Sequence, residues 1–261
     1  MTILLIFIIG LCVGSFLNVL VDRIPRGESV LFGRSHCEFC KKKLEWWELL
    51  PVISFLIQRG SCTKCKRFIG WQYLVVELVT GISYVFLFLN LSPLNYELGI
   101  RNYGEFGYYF FIISIMIVIF FTDLRYGIIP DKVLYPTIII SLFYVLLIHD
   151  SYFLIHNYLP SAVGAFLFFL LLFLLTKGRG MGFGDVKFVF LMGLVLGFPG
   201  IVIGLYLAFL TGAGVALILV LWGKKKFSGG TIPFGPFLVA GCIAVLLFGS
   251  EILTKISPLL P

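Results

Sequence analysis

Long apolar runs recur along the whole sequence, and they constrain the fold more than any other feature. A helix needs about 20 mostly apolar residues to cross a hydrocarbon core of about 30 Å, and only helices or closed barrels satisfy their backbone hydrogen bonds there. Of the 261 residues, 60% are hydrophobic and 13% are charged, whereas soluble domains carry about 25% charged residues. The sequence therefore predicts an all-α polytopic membrane protein, because too few polar residues remain to cover a soluble surface.

We expect eight transmembrane helices joined by short connections that proline and glycine punctuate. The first run has no basic residue at its amino end and no small-residue cleavage site, so it is interpreted as a retained helix rather than a signal peptide. The predicted domains are the first helix (1–21), a small module (22–71) and a multi-helix membrane domain (72–261). The predicted spans are 2–21, 72–91, 107–123, 133–149, 158–176, 186–198, 200–222 and 237–253.

Basic residues are distributed unevenly along a chain whose net charge is +7. With eight spans and an external amino terminus, the basic residues of segment 22–71 fall on the same side as Arg125, Lys132, Lys177, Arg179, Lys187 and Lys224 to Lys226. The positive-inside rule places that side in the cytoplasm. The basic excess is therefore interpreted as an orientation signal and as contact with anionic lipid, not as binding to nucleic acid.

Two aspartates lie at the ends of apolar runs on the predicted cytoplasmic side. Asp123 ends the run 107–123, which would be about 24 Å long as a helix, and Asp185 precedes the run 186–198, which would be about 20 Å long. Both runs are shorter than the hydrocarbon core, so we expect the two carboxyl groups at similar depth beneath the cytoplasmic headgroups. Ionisable groups at such positions are commonly functional, and two adjoining carboxyl groups share a proton and can act as base and acid on one water.

Each aspartate also has a structural interpretation when it is taken alone. Asp185 would cap the sixth span, and Asp123 would be an interfacial anchor. Their shared side and depth favour catalysis over these alternatives. The glycines beside Asp185, Gly182 and Gly184, would let a substrate backbone approach it closely, and Lys187 belongs to the same predicted active-site loop.

Two C-x-x-C pairs predict a zinc site in the module between the first two spans. Four cysteine thiolates at this spacing typically form a closed tetrahedral structural site, and a reducing cytoplasm argues against structural disulfides. Since a segment of about 50 residues has too small a core to fold easily alone, zinc binding would stabilise it. The sequence thus predicts a small cytoplasmic zinc-ribbon-like module whose ligands are Cys37, Cys40, Cys62 and Cys65.

An ordered set of motifs resembles the bacterial type IV prepilin peptidases, which are GxGD-type intramembrane aspartyl proteases also called leader peptidase/N-methyltransferases. The resemblance implies that Asp123 and Asp185 are the catalytic pair, and that prepilin or pseudopilin leaders are cleaved at the cytoplasmic face of a bacterial inner membrane. The motifs are Gly14 to Val19, Arg23 to Pro25, both cysteine pairs, Pro51 to Phe55, Val76 to Leu78, Asp123 to Arg125, Ile129 to Asp131, Gly182 to Lys187 and Pro233 to Phe237.

The same resemblance implies a second activity, methylation of the new amino terminus from S-adenosylmethionine. The sequence has no glycine-rich nucleotide fingerprint of the Rossmann type, so we expect a cofactor site of another kind, built from the 22–71 module with Glu28 and Glu77 as candidates. Two other functions stay open from the sequence: a transporter whose acids conduct ions, and a noncatalytic secretion scaffold carrying the zinc module. Neither aspartate is expected near the membrane midplane, where transport sites usually lie.

Overall fold

The part of the chain that the structure describes is almost entirely helical. The structure is a computed structural model that describes residues 1–30, 32–91, 100–148, 152, 154–178, 180–222 and 233–256. Arg179 and Lys224 to Lys226, which entered the charge argument, lie outside the described residues. The helices are α1 (Thr2–Arg23), a 3₁₀-helix (Trp46–Leu49), α2 (Ile53–Ile57), α3 (Trp71–Leu91), α4 (Ile100–Tyr126), α5 (Asp131–Ile148), a π-helical turn (Leu154–Tyr158), α6 (Leu159–Leu175), α7 (Phe183–Leu221) and α8 (Gly235–Ile256).

Several of these helices are long enough to cross a membrane. Within the described residues, five helical segments have the length and apolar composition of a span: Thr2–Arg23, Trp71–Asn90, Gly104–Tyr126, Leu154–Leu175 and Phe183–Leu221. The prediction of an all-α polytopic membrane protein is confirmed at this level. Each of the eight predicted runs overlaps a helix, although the third begins seven residues after the start of α4 and the sixth and seventh both lie in α7. Position 149 is not described. The count of eight spans stays a prediction.

Helix α7 combines two of the predicted spans. Its 39 residues would reach about 60 Å if straight, but the backbone is non-helical at Gly197 (φ 59°, ψ −174°) and Phe198 (φ −90°, ψ 138°). The Asn157 side chain replaces the missing helix partners, since its amide donates to the Phe198 carbonyl at 3.1 Å and its oxygen accepts from the Phe198 N–H at 2.7 Å. A side chain at Gly197 would have to adopt this positive φ only 2.6 Å from the Asn157 oxygen, so the kink requires glycine.

The chain divides into two compact units, residues 1–121 and residues 122–261. In the first unit α1 packs along α3, and the Asn18 side chain donates to the Tyr73 carbonyl at 3.0 Å. Farther along α3, the Tyr84 hydroxyl hydrogen-bonds the Ser114 hydroxyl at 2.7 Å. These polar contacts join helices that are otherwise apolar, as is usual where lipid offers no hydrogen bonds.

The second unit is built around α7, which packs against α5, α6 and α8. Its core consists of fully buried apolar side chains, among them Phe169 of α6 and Phe188, Leu191 and Met192 of α7. The boundary between the units lies within α4, so the last turns of that helix belong to the second unit. The division at residues 21 and 71 that the sequence predicts for the domains stays a prediction.

Candidate functional site

The four cysteines of the module come together as one cluster. Their sulfur atoms all lie within 4.8 Å of one another, with Sγ–Sγ distances of 3.8 Å for Cys37–Cys65 and 3.9 Å for Cys40–Cys62. A tetrahedron with Zn–S bonds of about 2.3 Å has edges of about 3.8 Å. The donor set and its dimensions therefore fit a tetrahedral metal ion such as zinc.

The two cysteine pairs have the same local backbone conformation. The residue after each second cysteine is left-handed, with φ 55° at Lys41 and 56° at Lys66, and its N–H donates to the carbonyl of the first cysteine at 3.0 Å in both pairs. One antiparallel bridge closes each hairpin, His36–Lys43 in the first and Ser61–Phe68 in the second. Beyond these bridges the described part of segment 22–71 has no strand, so a zinc-ribbon-like architecture stays a prediction.

The sulfur atoms of the cluster differ in acidity. The backbone N–H of Cys65 hydrogen-bonds the Cys62 sulfur and lowers the pKa of that thiol to about 6, whereas burial raises the pKa of Cys37 to about 11. Zinc binds the thiolate form, so binding would displace the Cys37 proton, and metal affinity would depend on pH.

A buried acid that the sequence interpretation missed ties the two cysteine hairpins together. Glu48 is 7% exposed, and its Oε1 accepts from the Lys42 ammonium at 2.8 Å and from the Thr63 hydroxyl at 2.6 Å. Burial alone would raise the pKa of Glu48, but the bonds from Lys42 and Thr63 outweigh it and lower that pKa. Lys42 follows the first pair and Thr63 lies inside the second, so one carboxylate holds both. The sequence carried one indication of this role, because Glu48 is the single charged residue in the stretch 46–57.

A cavity in the first unit brings together the two residues proposed for a cofactor. Glu28 and Glu77 both line this 180 Å³ cavity, as do the cluster cysteines Cys37 and Cys62. Glu77 is buried, and its Oε2 accepts from the Val52 N–H at 2.8 Å. The carboxylates that line the cavity are Asp22, Glu28, Glu38, Glu48 and Glu77.

The two membrane aspartates line one cavity in the second unit. Asp123 is 5% exposed and Asp185 is 6% exposed, and the cleft that they share has a volume of 620 Å³. All the residues predicted from the GxGD region line the same cavity: Gly182, Gly184, Asp185 and Lys187. Residues distant in the chain thus meet at one site.

Asp123 projects from α4 with an unsatisfied carboxylate oxygen. Its Oδ2 atom has no hydrogen bond of good geometry in the described part of the structure, although buried polar atoms are nearly always paired, and the backbone N–H of Gly235 is the group that interacts with this carboxylate. The predicted run ends at Asp123, and α4 continues three residues farther, to Tyr126. The prediction placed the boundary where the apolar run stops, but backbone hydrogen bonds continue past a charged side chain.

Asp185 lies within the first turn of α7 rather than before the helix, because α7 begins at Phe183. Its Oδ2 accepts from the Gly182 N–H at 3.1 Å. Asp185 therefore caps the start of α7 through its contact with Gly182 and also lines the cavity. The bond to Gly182 fixes the orientation of its carboxylate, while the Asp123 carboxylate is close enough to repel it electrostatically.

The other residues of the predicted loop make structural contacts as well. Lys187 forms an ion pair with Asp131, whose side chain is 52% exposed, and its ammonium lies 5.4 Å from the Tyr135 ring centroid. A Cβ on Gly184 would be 3.1 Å from the Cβ of Ile129, so the small size of Gly184 also serves packing inside the unit. Their predicted role in substrate approach stays a prediction.

Gly235 lies against Asp123 beside this cavity, and the sequence interpretation gave it no role. It begins α8, and a Cβ at this position would lie 2.5 Å from the Asp123 Oδ2. Only glycine therefore allows the start of α8 to approach the Asp123 carboxylate so closely. The neighbouring residues Pro233 and Phe234 line the cavity. Gly235 belongs to the Pro233 to Phe237 motif, which entered the sequence analysis only as part of the family resemblance.

These features define a helical membrane protein with a cluster of four cysteines in one unit and two buried carboxyl groups at one cavity in the other. The sequence matches the bacterial peptidase A24 N-terminal domain over residues 8–91 and the type IV leader peptidase family over residues 110–217. The chain belongs to the type IV leader peptidase family, which confirms the resemblance drawn from the motifs. The prediction that the chain is an enzyme, a peptidase of this family, is confirmed with it.

Similar proteins have matching lengths. The chain is 31% identical over 251 residues to a prepilin leader peptidase/N-methyltransferase of Bacillus subtilis, and the match covers 96% of each chain. Proteins with the same description from Burkholderia pseudomallei and Aeromonas salmonicida are 28% and 29% identical, over 93% and 95% of this chain and over 84% and 91% of their own lengths. No solved structure matches the chain.

Proposed function

We propose that this protein cleaves the leader peptides of type IV prepilins or pseudopilins with Asp123 and Asp185 as its catalytic pair. The observation that carries the proposal is that two aspartates from distant helices are both buried and line one cavity. The substrate follows from the names of the similar proteins, which are prepilin leader peptidases. Cleavage takes place at the cytoplasmic face, since the basic residues orient the chain with its amino terminus outside.

The chemistry is hydrolysis by a carboxyl pair that shares one proton. The ionised aspartate removes a proton from a water molecule, and the water oxygen forms a bond to the scissile carbonyl carbon. The protonated aspartate donates to the carbonyl oxygen, and the C–N bond then breaks as a proton passes to the leaving nitrogen. The unpaired Oδ2 of Asp123 is available to hold the water, while Asp185 is oriented by Gly182. Both carboxyl groups titrate as a unit, so neither is assigned as the base.

The positions of the aspartates within their helices support proteolysis rather than ion transport. Asp123 lies in the last turns of α4 and Asp185 in the first turn of α7. Transport sites usually lie near the bilayer midplane. The scissile peptide bond of a prepilin, by contrast, adjoins a leader that stays in the cytoplasm, so it would meet the enzyme at the cytoplasmic ends of the helices. A transporter or a noncatalytic scaffold therefore has less support than the peptidase.

The cysteine cluster is proposed to hold one structural zinc ion through Cys37, Cys40, Cys62 and Cys65. Four protein ligands fill a tetrahedral shell and leave no open position for substrate. Zinc supplies a charge centre that keeps the four thiolates together and stabilises a segment with little apolar core. These residues therefore hold the 22–71 segment in shape and take no part in the peptide hydrolysis.

We also propose methylation of the new amino terminus, at the cavity that Glu28 and Glu77 line. S-adenosylmethionine carries a sulfonium cation, and the cavity wall bears five carboxylates against three arginines, Arg23, Arg26 and Arg67, an acidic excess that suits a positive ligand. Glu77 is buried, so its charge would act through a medium of low dielectric. The methyl group would pass from the sulfonium to the neutral amine, and the amine would release a proton.

Incubation of the purified protein with a prepilin and S-adenosylmethionine, followed by intact mass spectrometry, tests both activities separately. The wild-type protein is expected to remove the leader and add one methyl group. Asp123→Asn should leave the leader in place, while Glu77→Gln should remove the leader and fail to add the methyl group. Glu105→Gln is the matched control, since Glu105 also lies on α4 but does not line the cavity. Cleavage by Asp123→Asn at a rate near that of the wild type would overturn the proposed pair.

A further inference from the structure

The stretch from Trp46 to Ile57 presents an unusually apolar surface. It comprises the 3₁₀-helix and α2 with the turn between them, and it is called the apolar strip below. Its large side chains are between 39% and 74% exposed. They are Trp46, Trp47, Leu49, Leu50, Ile53, Leu56 and Ile57. A contiguous apolar surface of this kind usually marks an interaction site.

The apolar strip has no exposed charge. Its single ionisable residue is Glu48, which is turned inward and paired with Lys42 and Thr63. Since the acid is buried, no charged group interrupts the outer surface. Exposed basic residues occur just outside the strip, at Lys41 and Lys43 before it and at Arg59 after it, and one exposed acid, Glu45, directly precedes it, so the flanks keep a basic excess. A face that is apolar in the middle and basic at both ends matches the profile of a lipid leaflet, whose headgroup phosphates lie above its acyl chains.

Contacts with α3 set the depth of the strip. The Val52 N–H donates to the Glu77 Oε2 at 2.8 Å, and the Phe55 ring centroid lies 5.4 Å from that of Trp71. Trp71 begins α3, and Glu77 lies less than two turns farther on, or about 9 Å along the axis. The strip therefore runs beside the first two turns of a membrane-spanning helix, within a single unit. That is the level at which a bilayer changes from headgroups to acyl chains.

We propose that the apolar strip inserts into the leaflet that α3 enters and anchors the 22–71 segment to the membrane surface. The indole rings of Trp46 and Trp47 occupy the interface, where tryptophan is enriched. The side chains of Ile53, Leu56 and Ile57 reach the upper acyl chains, and the flanking basic residues contact headgroup phosphates. The zinc-binding segment is thus held against the bilayer by lipid contacts as well as by its two covalent connections to α1 and α3.

Quenching of tryptophan fluorescence by lipid tests the insertion in the full-length protein. The substitutions Trp47→Phe, Trp71→Phe and Trp222→Phe leave Trp46 as the one emitter. The protein is reconstituted into phosphatidylethanolamine/phosphatidylglycerol vesicles, with or without bromine on the acyl carbons nearest the headgroup. We expect brominated lipid to quench Trp46 several-fold more strongly than it quenches a tryptophan placed at Lys64, an exposed residue of the second cysteine pair. Aqueous acrylamide should show the opposite order.

A second emitter keeps the test independent of one variant. Leu56→Trp in a background without other tryptophans should be quenched by brominated lipid at least as strongly as Trp46. If both emitters respond to acrylamide like the tryptophan at position 64, and not to brominated lipid, the strip is exposed to water and the proposal is overturned. If they are protected from both quenchers, protein covers the strip, such as a second copy of the chain, and the proposal is equally overturned.

Discussion

The cysteine cluster and the aspartate cavity are built in contrasting ways. Each cysteine hairpin is closed by its own backbone, and Glu48 cross-links the two hairpins with every one of its contacts satisfied. The aspartate cavity is lined by the end of α4, by the start of α7 and by the residues just before α8, and the Asp123 Oδ2 has no hydrogen bond of good geometry among the described residues. A saturated site holds a ligand permanently, whereas a buried unsatisfied oxygen is available to a reactant.

The contrast also separates two sources of stability. The apolar core beside the hairpins is small, with Phe68 packed against Phe55 and Trp71, so we expect their conformation to depend also on the four cysteines and on the Glu48 clamp. The cavity of the second unit is surrounded by tightly packed apolar side chains such as Phe188 and Met192. Substitutions in one cluster should therefore leave the other intact, and four predictions test this independence.

The largest expected effect is the loss of cleavage in Asp185→Asn. Removal of a group that acts as acid or base lowers rates by about 10²–10⁴-fold, and the amide keeps the size of the carboxylate. Zinc content, measured by atomic emission on the purified protein, should be unchanged. If the variant lost zinc along with cleavage, the cysteine cluster would depend on the aspartate cavity, and the two sites would not be independent.

Gly235→Ala should have the next largest effect, since the new methyl group would lie 2.5 Å from the Asp123 Oδ2. Displacement of a catalytic group by about 1 Å can lower a rate by about 10²-fold. The control is Gly249→Ala on the same helix, where a Cβ meets nothing nearer than a Val245 methyl group at 3.4 Å. Initial rates of prepilin cleavage measure the difference. Equal rates for the two variants would show that the Asp123 side chain moves away from the new methyl group without any loss of activity.

Glu48→Gln should weaken zinc binding by about 10–100-fold, the range seen when groups that orient metal ligands are removed. The amide cannot accept both the Lys42 and Thr63 bonds as strongly as a carboxylate does. Glu38→Gln is the control, because Glu38 lies within the first cysteine pair but forms its ion pair with Arg26 at 2.7 Å. Competition with a chromogenic chelator measures both affinities. If both variants bound zinc equally weakly, the cause would be the lost negative charge and not the loss of the contacts that Glu48 makes with Lys42 and Thr63.

The smallest effect is expected for Asn157→Ala, which removes the side chain that satisfies the α7 kink. Two backbone groups of Phe198 would lose their partners, and because Phe198 is exposed the loss is that of ordinary hydrogen bonds, about 0.5–1.5 kcal/mol each. Thermal unfolding in detergent should occur at a lower temperature, with zinc affinity unchanged. Thr211→Ala serves as the control, because its hydroxyl bonds only to carbonyls of its own helix. An identical melting temperature for wild type and Asn157→Ala would mean that water or lipid headgroups replace the side chain.

The cysteine ligands and the helical spans were predictable because both depend on local patterns. The C-x-x-C spacing specifies a hairpin whose backbone needs few distant contacts, and an apolar run of sufficient length has to be helical in lipid. The family motifs pointed to Asp123, Asp185 and the glycines beside Asp185. Helix ends were less predictable, since α4 and α7 extend past the charged residues that appeared to bound them.

What the sequence by itself determined was the membrane class and the grouping of the four cysteines, and it pointed to the two aspartates that the structure places at one cavity. Only the tertiary structure decided that Glu48 is buried as a clamp, that Gly235 abuts Asp123, and that the Trp46–Ile57 surface is left without charge. These features depend on side chains from separate segments coming within a few ångströms of one another. Local spacing carries no information about such contacts, because packing of distant helices sets them.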